Sequence, residues 1–367
     1  MRETRGEGWL MGGLSERADA GPFEALRRLS AKVGSDPSLV QAAGGNTSIK
    51  TDGVLWIKAS GTWLMNAGRE DIFVPVAMSP LLEAVAAIDP AAEKAEAFTL
   101  QDQNPRGLRP SIETTVHALM PQRVVVHVHC VDTIALAVRT DAVSVVGERL
   151  KGLNWAFVPY CRPGLPLARA IAAAREPQTD ILVLGNHGLV VAAETVEEAE
   201  SLLKRVCGLL AQPMREAPNA DIDGLLARSG KGYRLPAFAE AHAVATDPAS
   251  CRIAAAGTLY PDHAIFLGAG STVAGADDTA DAIAERVRAE GREPPVMILF
   301  PGLGVLMRGD ANAGAEALAR CLADVAGRID PRATLRYLTD TETDQLVNWD
   351  AEKYRQELTR RMAASSA

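Results

Sequence analysis

Residues 124–130 read Val-Val-Val-His-Val-His-Cys, and this run constrains the chain more than any other. Three β-branched residues followed by strict alternation predict a buried strand. Side chains two apart on a strand leave the same face. His127 and His129 therefore project together, while Val126 and Val128 point the other way. Two imidazoles side by side on a sheet can begin a metal site. They can equally be strand-end histidines bonded to solvent or backbone.

A second strand is predicted over 181–184, running into Gly185-Asn186-His187-Gly188. Strand-end loops are where sheet proteins commonly place their sites, and glycine lets a ligand or backbone come close. Alone, His187 reads as a loop histidine. Joined to His127 and His129, it gives three protein ligands and an open fourth position, the arrangement that catalytic zinc uses.

Glu113 closes Arg109-Pro-Ser-Ile-Glu113, at a predicted helix start with Ser111 as N-cap. There its carboxylate either complements the helix dipole or, beside a metal, ligates at rest and moves protons when substrate enters. His117 lies four residues on, on the same helix face, and reads as a packing residue. Gly44-Gly45-Asn46-Thr47-Ser48 and Ala59-Ser60-Gly61-Thr62 flank a hairpin predicted around Asp52-Gly53. Small polar loops of this kind can present N–H groups and hydroxyls to a phosphate or carboxylate, or simply make turns. Lys58 could add positive charge to that corner, or stand as an exposed strand lysine.

Helices are predicted over 22–33, 79–88, 111–120 and 194–211. Pro213, Pro218, Gly224, Gly230 and Gly232 mark a linker over 213–235. Beyond it, strands at 263–267 and 296–300 alternate with helices at 277–290 and 312–328, and a last helix covers about 341–361. That alternation predicts a small parallel α/β unit. The chain thus divides into a flexible N-terminus over 1–19, a first domain over 20–212, the linker, and a C-terminal α/β domain over 236–367. Pro301-Gly-Leu-Gly follows a predicted strand but matches neither a dinucleotide-binding fingerprint nor a phosphate-binding Walker loop. The signatures of zincins and of nucleophile-elbow hydrolases are absent.

Composition removes several classes of function. With 38 Lys+Arg against 46 Asp+Glu the net charge is −8, which disfavours nucleic acid and anionic membranes as partners. The longest nearly apolar stretch, residues 124–138, is interrupted by two histidines and an aspartate and is too short to span a bilayer. Charged residues near the start, with no apolar run behind them, give no secretory signal. Five cysteines without a C-x-x-C pair predict a reducing, cytoplasmic setting.

In order along the chain, Gly44-Gly45-Asn46-Thr47-Ser48, Lys58-Ala59-Ser60-Gly61-Thr62, Pro110-Ser111-Ile112-Glu113, His127-Val128-His129 and Gly185-Asn186-His187-Gly188 resemble the class II aldolase/adducin family, over roughly residues 20–212. The resemblance implies an α/β/α sandwich around a mainly antiparallel sheet, commonly assembled as a four-fold homotetramer. It implies that His127, His129 and His187 bind a divalent metal, most often zinc, with manganese or cobalt as alternatives. It makes Glu113 the acid/base group and assigns Asn46, Ser60, Gly61 and Ser111 to the phosphate of a small sugar-like substrate. Many sugar-phosphate aldolases of the family carry a second serine directly before the glutamate. Ile112 stands there in this chain, so the bound anion could instead be a carboxylate. Tyr160 and Tyr260 are candidates for the tyrosine acid that some members use.

The implied reaction is metal-dependent retro-aldol cleavage of a ketose phosphate or related hydroxy-ketone through an enediolate. Decarboxylation, dehydration and epimerisation on the same site remain open, as does a non-catalytic, adducin-like interaction module. Pro261-Asp262-His263, Pro301-Gly302-Leu303-Gly304 and the Trp349 to Glu352 stretch resemble the segment that follows this domain in bifunctional rhamnulose-1-phosphate aldolase/alcohol dehydrogenase proteins. The chain would then correspond to their aldolase half, with no NAD chemistry expected.

Overall fold

The alternation of Val124–Val128 creates a strand with two apolar faces, and each face is covered by helices. The computed structural model describes residues 20–347. Val124, Val126 and Val128 pack with Leu26 and Leu29 of the helix Ala20–Gly34 and with Leu203 and Val206 of the helix Val196–Leu210. Val125 packs on the opposite side with Val116 of the helix Thr114–Leu119 and Ile171 of the helix Leu165–Ala174. The result is a three-layer sandwich.

The central layer has seven strands: β1 (Asn46–Thr51), β2 (Val54–Lys58), β3 (Phe73–Ala77), β4 (Val124–Val128), β5 (Trp155–Val158), β6 (Ile181–Leu184) and β7 (Gly188–Ala193). Their spatial order is β3-β2-β1-β4-β7-β6-β5. Every neighbouring pair is antiparallel except β5 with β6. The predicted β1–β2 hairpin turns at Asp52 and Gly53, both at positive φ (51° and 77°), the twist that two-residue hairpins favour.

A second sheet is built from β8 (Tyr233–Arg234), β9 (Thr272–Val273), β10 (Met297–Phe300) and β11 (Gly304–Arg308), in the order β8-β11-β10-β9. Only β9 and β10 are parallel, so this sheet is mixed and not the parallel one predicted. The reason is the Pro301-Gly302-Leu303 connection. Gly302, at φ 77°, closes a tight turn with Phe300 opposite Gly304, and a hairpin forces its strands antiparallel.

Residues 263–267, predicted as a strand, belong to the helix Pro261–Leu267. All seven residues of that helix are buried. A short run that is buried on every side carries no period to tell helix from strand, and Pro261 at the first turn is the start signal that decides it. Residues 213–235 contain the helix Ile222–Ser229 and β8. The last described helix is Asp340–Val347. The remainder of the helix predicted to 361, the Trp349 to Glu352 stretch and residues 1–19 lie outside the described residues.

The helix Val131–Ala137 joins the two sheets, with Leu136 and Ala137 in the apolar cluster under the first sheet and Val131 and Ile134 in the cluster under the second. Val131, Ile134 and Val138, immediately after β4, form one apolar cluster with Leu318, Leu322 and Val325 of the helix Ala313–Arg328. This packing sets the C-terminal segment against the end of β4 that carries the histidines. Among the described residues no helix is long and apolar enough to cross a membrane.

Candidate metal centre

His127 lies in β4 opposite Asn46 of β1 and Val190 of β7. His129 follows the strand by one residue, and His187 occupies the β6–β7 turn. The pairing of Val128 with Leu189 brings that turn beside His129. The three rings are buried, with centroids 5.0–5.1 Å apart. One nitrogen from each lies within 4.8 Å of the others.

Two glycines make room for this convergence. A Cβ at Gly188 would sit 2.4 Å from the carbonyl oxygen of Val128, and one at Gly44 would sit 2.8 Å from His129 Nδ1.

Glu113 faces the triad. Its Oε2 is 3.3 Å from His127 Nε2 and its Oε1 is 3.4 Å from His187 Nε2. Glu113 is itself the N-cap residue of the helix Thr114–Leu119, yet its side chain makes no capping bond. Ser111 is not the N-cap, contrary to expectation. Its backbone N–H donates to Lys58 O at 3.1 Å, which ties it to the end of β2 and delays the helix. The Ser111 hydroxyl instead accepts from the Glu113 N–H at 3.2 Å and from Asn46 Nδ2 at 3.1 Å.

Asn46 Nδ2 also donates to Glu113 Oε2 at 2.8 Å. The Asn46 Oδ1 is bonded by His117 Nε2, and His117 Nδ1 meets Ser48 Oγ at 2.7 Å. His117 is therefore outside the triad but holds, through Asn46, the carboxylate that faces it.

Burial disfavours charge on these rings. It pushes His187 and His117 down to about 3 and lowers His127 as well, so these three rings are neutral near pH 7, and those of His127 and His187 offer lone pairs to the centre. For Glu113 burial works against ionisation. The facing imidazoles, wherever they carry a proton, and the Asn46 amide outweigh it and hold the carboxyl below the usual carboxylate range.

His127 Nε2, His129 Nε2 and Glu113 Oε1 are buried without a hydrogen-bond partner. Orphaned polar atoms are costly and rare in folded proteins, and three in one place call for an occupant. His127 Nδ1 donates to Leu189 O at 3.0 Å, which leaves Nε2 as the ligand atom. Neutral imidazole nitrogens beside a carboxylate are donors that a divalent transition metal takes. The residues fit such an ion.

The profile of the Class II Aldolase and Adducin N-terminal domain matches residues 24–207, half of the chain. The chain belongs to this family. The sandwich described above is the class II aldolase fold, with a second, smaller sheet added.

Over 198 residues the chain is 33% identical to a Bacillus subtilis (strain 168) protein named uncharacterized oxidoreductase YuxG. That match takes in 50% of this chain, which spans only 28% of the relative's length. The N-terminal class II aldolase domain of a conserved Thermoplasma acidophilum protein is 27% identical with a TM-score of 0.45, covering 57% of this chain and 97% of that one. L-fuculose-1-phosphate aldolase from Thermus thermophilus is 20% identical with a TM-score of 0.34, covering 52% and 91%.

A cleft opens beside the triad. It is lined by Asn46, Lys58, Ser60, Gly61, Ser111, Ile112 and Glu113, with His129, His187 and Asp262 at the metal end. All four residues assigned by resemblance to the substrate anion thus meet in one cleft. Lys58 is not the exposed lysine its position suggests. It is 2% exposed, and its Nζ donates to the carbonyls of Ala43 and Gly45 at 2.7 and 3.0 Å, fixing the loop before β1.

Tyr160 and Tyr260 are not among the lining residues. The Tyr260 hydroxyl points to Cys321 Sγ at 3.4 Å, and the Tyr160 ring stacks against the Arg336 guanidinium at 5.0 Å.

Two contributions went unassigned in the sequence. Asp262 Oδ2 lies 2.9 Å from His129 Nδ1, and Asn186, at φ 53°, is held by Leu259 and Arg336. The Pro261-Asp262 step signals a helix start, but nothing in its spacing points to residue 129.

Proposed function

We propose that the chain is a metal-dependent lyase that cleaves a ketose phosphate or related hydroxy-ketone by retro-aldol chemistry. The observation that carries this reading is the buried His127, His129 and His187 triad facing the Glu113 carboxylate. An interaction scaffold has no physical need for three converging imidazoles with orphaned nitrogens.

In the cleavage the hydroxyl β to the substrate carbonyl loses its proton and the bond between the α and β carbons breaks. The β carbon departs as an aldehyde, and the electron pair stays on the α carbon as an enediolate. Protonation of that carbon completes the second product. A divalent ion held by the three histidines, zinc in the first instance and manganese or cobalt otherwise, supplies Lewis acidity against the negative charge developing on the substrate oxygens.

Glu113 sits where it can move the proton at the α carbon or at a neighbouring hydroxyl. Asn46 orients that carboxylate, and Ser60, Gly61 and Ser111 hold the anionic end of the substrate. Water is limited by the burial of the three rings and of Glu113.

Ile112 lines the anion end of the cleft where a second hydroxyl would assist a phosphate. That favours, as a second reading, a substrate carboxylate and a decarboxylation on the same site. The motifs Pro261-Asp262-His263 and Pro301-Gly302-Leu303-Gly304 support correspondence with the aldolase half of bifunctional rhamnulose-1-phosphate aldolase/alcohol dehydrogenase proteins. The family fold supports a homo-oligomer, with a tetramer favoured. Five free cysteines support a reducing compartment.

The test is a screen of ketose phosphates and hydroxy-keto acids with zinc, manganese or cobalt, read as aldehyde release. Aldehyde from a ketose phosphate, lost in Glu113→Gln, supports the lyase. Carbon dioxide release moves the assignment to the decarboxylase. Metal-loaded protein inert toward the whole panel contradicts both.

A further inference from the structure

Asp262 lies outside the matched family segment, in the helix Pro261–Leu267 of the C-terminal part. Its Oδ2 is 2.9 Å from His129 Nδ1, with both side chains buried to more than nine-tenths. A carboxylate in the first turn of a helix ordinarily complements the dipole. This one is turned to an imidazole whose other nitrogen is an orphan in the metal centre.

We propose that Asp262 is a positioning residue of the metal centre. It accepts the Nδ1 proton of His129, fixes the tautomer and ring plane, and so presents Nε2 to the cation. The inference rests on the reading that the triad holds a divalent ion, and it means that the C-terminal part completes a site the family domain only begins.

Three observations carry it. His127 shows the same arrangement, with Nδ1 on a backbone carbonyl and Nε2 without a partner. An acceptor on the far ring nitrogen is the usual outer support of a metal-bound histidine. Asp262 Oδ2, 2.9 Å from His129 Nδ1, is placed to give His129 the support that Leu189 O gives His127.

The other face of the contact is closed as well. Gly44 approaches so near that a Cβ there would lie 2.8 Å from the same Nδ1, which leaves the ring little freedom.

The C-terminal part also grips the turn that delivers the third ligand. Asn186 Nδ2 donates to Leu259 O at 2.8 Å and to Arg336 O at 2.7 Å, and Arg336 Nη1 donates to Asn186 Oδ1 at 3.3 Å. Asn186 is the residue before His187 and is held at positive φ. Two of the three ligands are thus braced by residues between 259 and 336.

The rival role is direct contact with substrate, since Asp262 also lines the cleft. Metal affinity separates the two. Full-length wild type, Asp262→Asn and Asp262→Ala are titrated with zinc against a chromogenic chelator, and the cobalt-loaded forms are compared by their visible absorption. Loss of an outer-shell partner weakens metal binding by roughly 10–100-fold. That loss and a shifted cobalt spectrum are expected for Asp262→Ala. Asp262→Asn keeps an acceptor oxygen and should bind more tightly than Asp262→Ala.

Should Asp262→Ala not fold, the near-isosteric Asp262→Asn carries the test, with zinc affinity expected below wild type. Equal affinity and identical cobalt spectra in every folded variant overturn the proposal, and so does lost turnover with metal binding intact. Wild type that binds zinc through these histidines but cleaves no substrate ends the lyase reading and leaves Asp262 in its positioning role. Wild type that binds no divalent ion ends both.

Discussion

Asn46 and Glu113 are joined by one hydrogen bond of 2.8 Å, and that bond is the end of a chain. The Asn46 amide can offer its N–H only because His117 holds its oxygen from behind, and His117 is set in turn by Ser48. Ser48 and Asn46 are two apart on β1 and so share a face. A single helical histidine reads both.

His117→Phe should therefore cost stability beyond the loss of packing. It leaves Asn46 Oδ1 and the Ser48 hydroxyl buried and unpaired, at about 1–3 kcal/mol for each group. Urea unfolding of the two proteins checks this. A variant as stable as wild type would show that the chain of bonds carries no weight.

Gly44 and Gly53 should separate contact from strain. Gly44→Ala places a methyl 2.8 Å from His129 Nδ1 and 2.9 Å from Gln41 O, so metal affinity should fall. Gly53, at φ 77°, has nothing within reach of a Cβ. Gly53→Ala should cost roughly 1–2 kcal/mol of folding free energy through its left-handed backbone and leave metal affinity unchanged. Zinc titration and thermal unfolding of both variants decide, and a reversed pattern would contradict the assignment.

The helix Val131–Ala137, packed into the apolar clusters of both sheets, predicts cooperative unfolding. Leu322 is fully buried in the cluster that also holds Val131 and Ile134 beside β4. Leu322→Ala should lose about 2–5 kcal/mol and shift one transition that both sheets follow. Two separated calorimetric transitions in wild type would show that the sheets unfold independently.

Acid should unfold the chain partly through His263. Burial lowers this ring from 6.5 to about 4 while its Nδ1 accepts from the Leu259 N–H at 3.3 Å. Between those values the unfolded chain binds a proton that the folded one refuses. The contribution is fully present above pH 6.5 and is lost as pH falls toward 4, about 3 kcal/mol for one such group. Denaturant midpoints measured from pH 7.5 to 4.5 in excess chelator should fall less steeply for His263→Gln than for wild type. Parallel profiles would remove His263 from the account.

The triad was legible because local periodicity carries it. Alternation in Val124–Val128 fixes the face of His127, and the Gly185 to Gly188 turn announces a strand end. Glu113 was legible from its motif, but its real partners were not. Lys58 reads as a surface lysine until the loop carbonyls of Ala43 and Gly45 are seen beside it.

Asp262 was illegible for a related reason. Its meaning comes from the packing of the helix Ala313–Arg328 against the segment after β4, a contact that no local spacing encodes. The helix Pro261–Leu267 reads as a strand in the sequence because uniform burial erases the period that separates the two.

The most direct test of the central claim is metal stoichiometry. Wild type and the single variants His127→Ala, His129→Ala and His187→Ala are saturated with zinc, freed of excess ion and measured by elemental analysis alongside circular dichroism. One tightly held divalent ion per wild-type chain, lost from each folded variant, is the predicted result. A wild-type chain that retains no ion, or variants that retain it undiminished, would contradict the account.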